Sequence, residues 1–128
     1  MARIDFNKKT KRTAIDIVNR KFSLHLNTSN TILSNINDSK PVWWFDPSND
    51  KFNSDIHLLL NDQNKKILYY FFIKSGSIKN PEILFRQRND KSRTNASHIE
   101  IRVENGNFTD ILGNGFQFKK YLKAEIEY

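Results

Sequence analysis

The chain has 128 residues and a formal net charge of +7, with 21 lysines and arginines against 14 acidic residues. A chain of this length is expected to form a single domain, residues 1–128, around one hydrophobic core. It has no cysteine, which excludes disulfides and thiolate metal sites. No apolar run approaches the roughly 20 residues of a membrane span, and the first residues do not form a secretory signal. The sequence therefore predicts a cytoplasmic protein without a membrane partner.

The first predicted element is an amphipathic helix over residues 10–22. Its apolar residues recur at intervals of three and four, at Ala14, Ile15, Val18 and Phe22. Residues 27–40 are mostly polar, and their pattern fits either a short second helix or a loop. The aromatic and β-branched run Val42–Phe45 then predicts a strand.

Two strands separated by a turn are predicted in the middle of the chain. The first covers residues 54–60, the turn covers 61–64, and the second begins at Ile67 and ends at Ile73. The second strand is apolar on both faces, which is typical of a strand inside a sheet with other elements packed above and below it. We expect the N-terminal helix to cover one of these faces.

Residues 80–93 fit two alternatives. Asn80-Pro81-Glu82 has the composition of a helix start, with an N-cap residue, a proline and an acid in order. Residues 83–88 alternate like a strand, and the lack of apolar residues between Phe85 and Ala96 favours this second alternative. Residues 98–104 alternate more clearly, so we expect the apolar side chains to face the core and the charged ones to face water.

The C-terminal part contains turns at 105–107 and 113–115 and a last amphipathic segment over 116–128. The sequence contains neither internal repeats nor a linker. The predicted fold class is α+β, with the N-terminal helix packed on a twisted, mostly antiparallel sheet of about five to seven strands.

The two central strands carry an acid and a lysine at characteristic places. Asp55 opens the first strand, and Lys74-Ser75-Gly76 closes the second. Together with the preceding helix, residues 15–103 resemble the αβββαβ core of the PD-(D/E)XK restriction-endonuclease-like superfamily. The resemblance implies a Mg²⁺-dependent nuclease in which Asp55 binds the metal and Lys74 positions or activates the attacking water.

One position departs from the pattern of that superfamily. Phe72 stands two residues before Lys74, where the superfamily has an acid, and a phenyl ring cannot ligate a cation that requires oxygen donors. The missing carboxylate would have to come from Glu82 or Glu100. The three histidines show no metal-ligand spacing either, so the residues themselves predict no metal site.

The basic residues lean toward the C-terminal half, with twelve after position 64 and nine before it. Arg86 and Arg88 would project from the same face of a strand. Guanidinium groups bind phosphates bidentately and read guanine edges, while glutamine and asparagine pair with adenine. The predicted nucleic-acid-binding residues in this region are Arg86, Gln87, Arg88, Lys91, Arg93 and Arg102.

Two further candidates lie in the N-terminal half. Lys9 stands at the front of the first helix, where it can contact a phosphate. Trp43 and Trp44 are adjacent, so their side chains point to opposite faces of a strand, and one can fill the core while the other is exposed. An exposed indole can stack on a base, and we assign this role to Trp43.

The sequence predicts a nucleic-acid-binding domain without a cofactor, with double-stranded DNA as its ligand. Such domains serve as recognition modules of restriction or mobile-element systems. One alternative is a small Mg²⁺-dependent nuclease built on Asp55 and Lys74. The other is a protein-interaction or inhibitor module, in which the aromatic surface around Trp43 and Phe45 contacts a protein partner.

Overall fold

The computed structural model describes residues 9–128. Its α-helices are α1 (Lys11–Phe22) and α2 (Pro81–Leu84), and short 3₁₀ turns cover Asn49–Asn53 and Lys119–Tyr121. Its strands are β1 (Thr31–Asn35), β2 (Val42–Phe45), β3 (Ile56–Asp62), β4 (Ile67–Ile73), β5 (Arg86–Arg88), β6 (Ala96–Arg102) and β7 (Leu122–Glu127). The predicted α+β class with an N-terminal helix is confirmed.

The strands form two sheets rather than one. The first has the order β1-β3-β4-β7, with β1 parallel to β3 and the other neighbours antiparallel. The second has the order β2-β6-β5 and is antiparallel throughout. Strand β4 lies inside the first sheet, as its two apolar faces predict.

The sheets and α1 are stacked in three layers. On one face of the first sheet, the buried residues of α1 pack against Leu59, Leu68 and Tyr70. On the other face, Leu58, Leu60 and Phe71 share a core with the second sheet, which contributes Trp43, Ile99 and Ile101. The first sheet is therefore covered on both sides.

Helix α1 begins and ends where its sequence predicts. Thr10 is its N-cap, and the Thr10 Oγ1 accepts a hydrogen bond from the Thr13 backbone N–H at 3.2 Å. The helix ends at Ser23, whose φ of 54° lies in the left-handed region. Within the described part of the chain, no helix is long and apolar enough to cross a membrane.

The prediction of a second helix or a loop for residues 27–40 is wrong, because this segment contains the strand β1. It is a short edge strand whose side chains do not alternate between apolar and polar. Its polar groups are satisfied by other elements, since the Asn35 side chain bonds to the Lys9 backbone and to the side chain of Asn61. Polar residues in such a strand remove the period-two signal.

Both alternatives for residues 80–93 are partly realised. The four-residue helix α2 begins at Pro81, and β5 follows it directly. In β6, Ile99 and Ile101 are fully buried as expected. Glu100 does not face water, however, because only 9% of it is exposed and its carboxylate pairs with the amino group of Lys40 at 3.2 Å.

Candidate nucleic-acid interface

The two sheets meet along the edge strands β1 and β2. The Ser34 hydroxyl links these edges, since it donates to the Trp44 carbonyl oxygen at 3.0 Å and accepts from the Trp44 backbone N–H at 3.1 Å. Next to this contact lies a cleft of about 450 Å³, which we call the edge cleft. Its walls come from residues 31–33 and 44–48, and the side chains of Lys11, Lys51 and Arg93 also line it.

The edge cleft carries positive charge from three separate parts of the chain. Lys11 begins α1, Lys51 lies in the first 3₁₀ turn, and Arg93 lies in the loop between β5 and β6. None of these three side chains forms a hydrogen bond or an ion pair with another residue of the described range 9–128. Partial burial lowers the pKa of Lys11, and the charge of Lys51 lowers it further. Within the described residues, the three cations of the cleft are therefore not neutralised by direct ion pairs.

Trp44 presents an exposed indole at the same cleft. The residue is 45% exposed, although its neighbours on β2 are buried. Its Nε1–H donates to Asp46 Oδ1 at 3.0 Å, and its ring meets the His98 ring edge to face, with centroids 5.5 Å apart. These two contacts fix the orientation of the indole while nearly half of the residue remains accessible.

Asp46 is the only carboxylate among the described residues that line the edge cleft, and its charge is engaged. It accepts hydrogen bonds from Trp44, from His98 Nδ1 and from the Arg88 guanidinium, the last at 2.7 Å. Burial alone would raise the pKa of Asp46, but these three hydrogen bonds outweigh burial and hold the pKa below its usual value of 3.8. Its negative charge is therefore directed at protein groups rather than at the cleft.

Asp46 connects the edge cleft to a second depression of about 410 Å³, because it bonds to Arg88 and His98, which line that depression. The second depression is lined by Arg86, Gln87, Arg88, Asn89, Asp90 and His98. Arg86 is exposed, and its guanidinium forms no hydrogen bond or ion pair with any residue from 9 to 128. Positive charge thus continues from one depression to the next.

Two of the predicted nucleic-acid-binding residues have internal partners. Arg88 bonds to Asp46, to Asp90 at 2.7 Å and to the Ser92 hydroxyl at 2.9 Å, and it thereby anchors the loop that carries Arg93. The Gln87 amide donates to the carbonyl oxygens of Pro81 and Phe85 and accepts from the Asn49 side chain at 2.6 Å. These groups hold β5 and its neighbours in place.

The prediction that Trp43 stacks on a base is wrong. Trp43 is fully buried, its Nε1–H donates to the Asn61 carbonyl oxygen at 2.9 Å, and its ring packs against Phe108. Trp44 is the exposed member of the pair. A four-residue strand shows that adjacent side chains point to opposite faces, but its sequence does not show which face is covered.

The other predicted residues lie outside the edge cleft. The Lys9 amino group lies 4.0 Å from the centre of the Tyr128 ring. Lys91 and Arg102 are exposed, and neither side chain forms a hydrogen bond or an ion pair within the described chain. Sequence reasoning missed Lys51, because it is a single cation beside an acidic turn with no other basic residue near it in the chain.

Asp55 and Lys74 lie at the ends of β3 and β4. The Asp55 carboxylate accepts a hydrogen bond from the Ser75 backbone N–H at 2.9 Å, which closes the turn after β4. Lys74 is exposed, and Phe72 stacks on His57 with ring centroids 5.2 Å apart.

The two candidates for the missing carboxylate lie on other elements than Asp55. Glu82 is exposed on α2, and Glu100 lies on the second sheet beside Lys40. Among the residues that the structure describes, no three aspartates, glutamates or histidines are grouped so that they could hold a metal ion. Within the described residues, Asp55 therefore does not belong to a group of three side chains that could ligate a metal ion.

Comparison with protein-family models, with curated proteins and with solved structures finds no match to this chain. The function is therefore inferred from the chemistry of the edge cleft. Three unpaired cations and an oriented indole suit a ligand that carries both negative charge and flat apolar rings.

Proposed function

We propose that this protein binds nucleic acid through the edge cleft. The observation that carries the proposal is a concave site beside the exposed Trp44, in which the side chains of Lys11, Lys51 and Arg93 have no partner among residues 9–128. Phosphates attract the cations, and bases stack on aromatic rings, so nucleic acid satisfies both halves of the site.

The charge of the whole chain supports the same ligand class. The net charge of +7 raises the local concentration of polyanions around the protein and accelerates their association. The adjoining depression with Arg86 extends the positive surface beyond the edge cleft. A strand of several nucleotides can therefore place one phosphate group after another on cations.

A purely protein-binding function accounts less well for this site. Interfaces between proteins use tryptophan and arginine as anchors, but lysine is depleted in them. Two of the three cations of the edge cleft are lysines. The edge cleft does not carry the preference for double-stranded DNA that the sequence predicted, and a role in a restriction or mobile-element system stays a prediction from the sequence.

The test is a fluorescence-anisotropy titration of labelled oligonucleotides at about 50 and about 200 mM salt, with and without Mg²⁺. The variant Lys11→Gln/Lys51→Gln removes two charges from the cleft. Its matched control, Lys65→Gln/Lys123→Gln, removes two charges from the β3–β4 turn and from the opposite edge strand β7. Both variants have the same net charge.

We expect the wild type to bind less tightly at the higher salt, because binding releases cations from the phosphates and this release gains less free energy when the salt concentration is higher. The cleft variant should reduce the slope of log affinity against log salt by about 1.4 to 1.8, and the control should leave it nearly unchanged. Equal decreases of this slope in both variants would show that binding depends on the net charge of the protein and not on the cations of the edge cleft. Absence of salt-sensitive binding by the wild type would refute the proposal.

A further inference from the structure

We infer that the edge cleft accepts one unpaired nucleotide of a single strand, with its base stacked on Trp44 and its phosphate held between Lys11 and Lys51. This inference rests on the proposed function and specifies its ligand. The proposed ligand is a single strand of DNA or RNA. Both have a phosphodiester chain and bases that are free to unstack.

The size and lining of the cleft support a single nucleotide. Its volume of about 450 Å³ lies in the usual range for small-ligand pockets, which is about 300 to 1,000 Å³. The bases of a duplex are stacked on one another, and an aromatic side chain reaches them only after they are unpaired or flipped out. Proteins that recognise single strands stack splayed bases on exposed aromatic rings.

The indole is held ready for stacking before any ligand arrives. Asp46 bonds to the Trp44 Nε1–H, and His98 packs edge to face on the ring. Asp46 is in turn fixed by Arg88, which lies on β5. Because the ring is already oriented, little side-chain entropy is lost when a base stacks on it.

The cations of the cleft are arranged to gain a counterion. The positive charge of Lys51 and partial burial both lower the pKa of Lys11. A phosphate between the two lysines relieves their repulsion and favours the charged form of Lys11. Arg93 supplies a third, unpaired cation for the neighbouring phosphate.

The experiment measures the binding of four ligands with the same number of phosphates. They are a single-stranded DNA, an RNA of the same sequence, an abasic single strand without bases, and a blunt-ended duplex of two half-length strands. Each is titrated against the wild type, Trp44→Ala, Trp44→Phe and the control Phe22→Ala. Phe22 is also an exposed aromatic residue, 41% exposed, but it lies at the end of α1.

We expect the wild type to bind the base-containing strands at least about tenfold more tightly than the duplex. Trp44→Ala should lower the affinity for those strands by about 10- to 100-fold, because stacking is lost. It should leave the affinity for the abasic strand unchanged. Trp44→Phe should retain most of the affinity, and Phe22→Ala should match the wild type. The DNA and RNA arms identify which kind of strand is preferred.

The failure of this inference is distinguishable from failure of the proposed function. If the duplex binds as tightly as the strands, or if Trp44→Ala weakens the abasic strand equally, stacking in the cleft is refuted. The proposed function then stands, provided that Lys11→Gln/Lys51→Gln still weakens binding. If inorganic phosphate displaces the strands at equal phosphate concentration, the cleft is a simple anion site and the inference fails. If none of the four ligands binds, both proposals fail.

Discussion

The adjacent tryptophans Trp43 and Trp44 have different roles because their side chains point to opposite faces of β2. Trp43 fills the core between the two sheets, and its indole N–H satisfies the Asn61 carbonyl oxygen. Trp44 borders the edge cleft, and its indole N–H is held by Asp46. One residue therefore contributes to stability, and the other remains available to a ligand.

The substitution Trp43→Phe separates these roles. It removes the indole N–H and leaves the Asn61 carbonyl oxygen without that donor in a buried place, so we expect the free energy of unfolding to fall by about 1 to 3 kcal/mol. Oligonucleotide affinity should stay within about threefold of the wild type at temperatures where the variant is folded. Urea unfolding and anisotropy titration measure the two quantities. A large loss of affinity in a folded Trp43→Phe variant would contradict this assignment.

Asp46 connects three strands through its carboxylate. It follows β2, and it accepts hydrogen bonds from His98 on β6 and from Arg88 on β5. These bonds, together with the one from Trp44, depress its pKa below 3.8 in the folded protein despite its burial. A carboxyl with a depressed folded pKa stabilises the native state above its unfolded pKa, and this contribution is lost as the pH falls through the folded value.

The substitution Asp46→Asn should therefore change how stability depends on pH. We expect the wild type to lose more unfolding free energy than Asp46→Asn when the pH falls from about 5.5 to about 3, because only the wild type protonates this carboxyl. Urea unfolding of both proteins at the two pH values gives the comparison. Equal losses would show that the Asp46 network adds no acid-sensitive stability.

The elements with periodic apolar residues were predictable from the sequence. Helix α1 buries Ala14, Ile15 and Val18 at the expected intervals, and strand β6 buries its apolar residues, whereas Phe22 at the end of α1 is exposed. Strand β1 was not predictable, since the hydrogen bonds of Ser34 and Asn35 reach partners that are distant in the sequence. Local pattern carries no information about such partners.

The candidate site was predictable only in part for a similar reason. Arg93 stands in a visibly basic segment of the sequence and was predicted to contact nucleic acid, and the structure places it at the edge cleft. Lys51 and Lys11 join it only because the fold brings a 3₁₀ turn and the start of α1 to the same edge. The choice of Trp44 over Trp43 depended on which face of β2 the first sheet covers.

In the molecule as a whole, the edge cleft lies where the two sheets come together at their edge strands. The helix layer and the second sheet cover both faces of the first sheet, so the core is closed on those sides. At the edges, by contrast, β1 and β2 are joined through the side chain of Ser34 rather than by a continuous ladder. The edge cleft beside this junction is the place where we propose that a single strand of nucleic acid binds.

The most direct test of the central claim is a titration of ¹⁵N-labelled protein with a single-stranded oligonucleotide, followed by two-dimensional NMR. The two indole N–H signals, assigned with Trp43→Phe, report on the core and on the cleft separately. We expect the Trp44 indole signal and the backbone signals of residues 31–33 and 44–48 to shift, while the Trp43 indole signal stays in place. Saturation without movement of the Trp44 signal, or shifts confined to other surfaces, would contradict binding in the edge cleft.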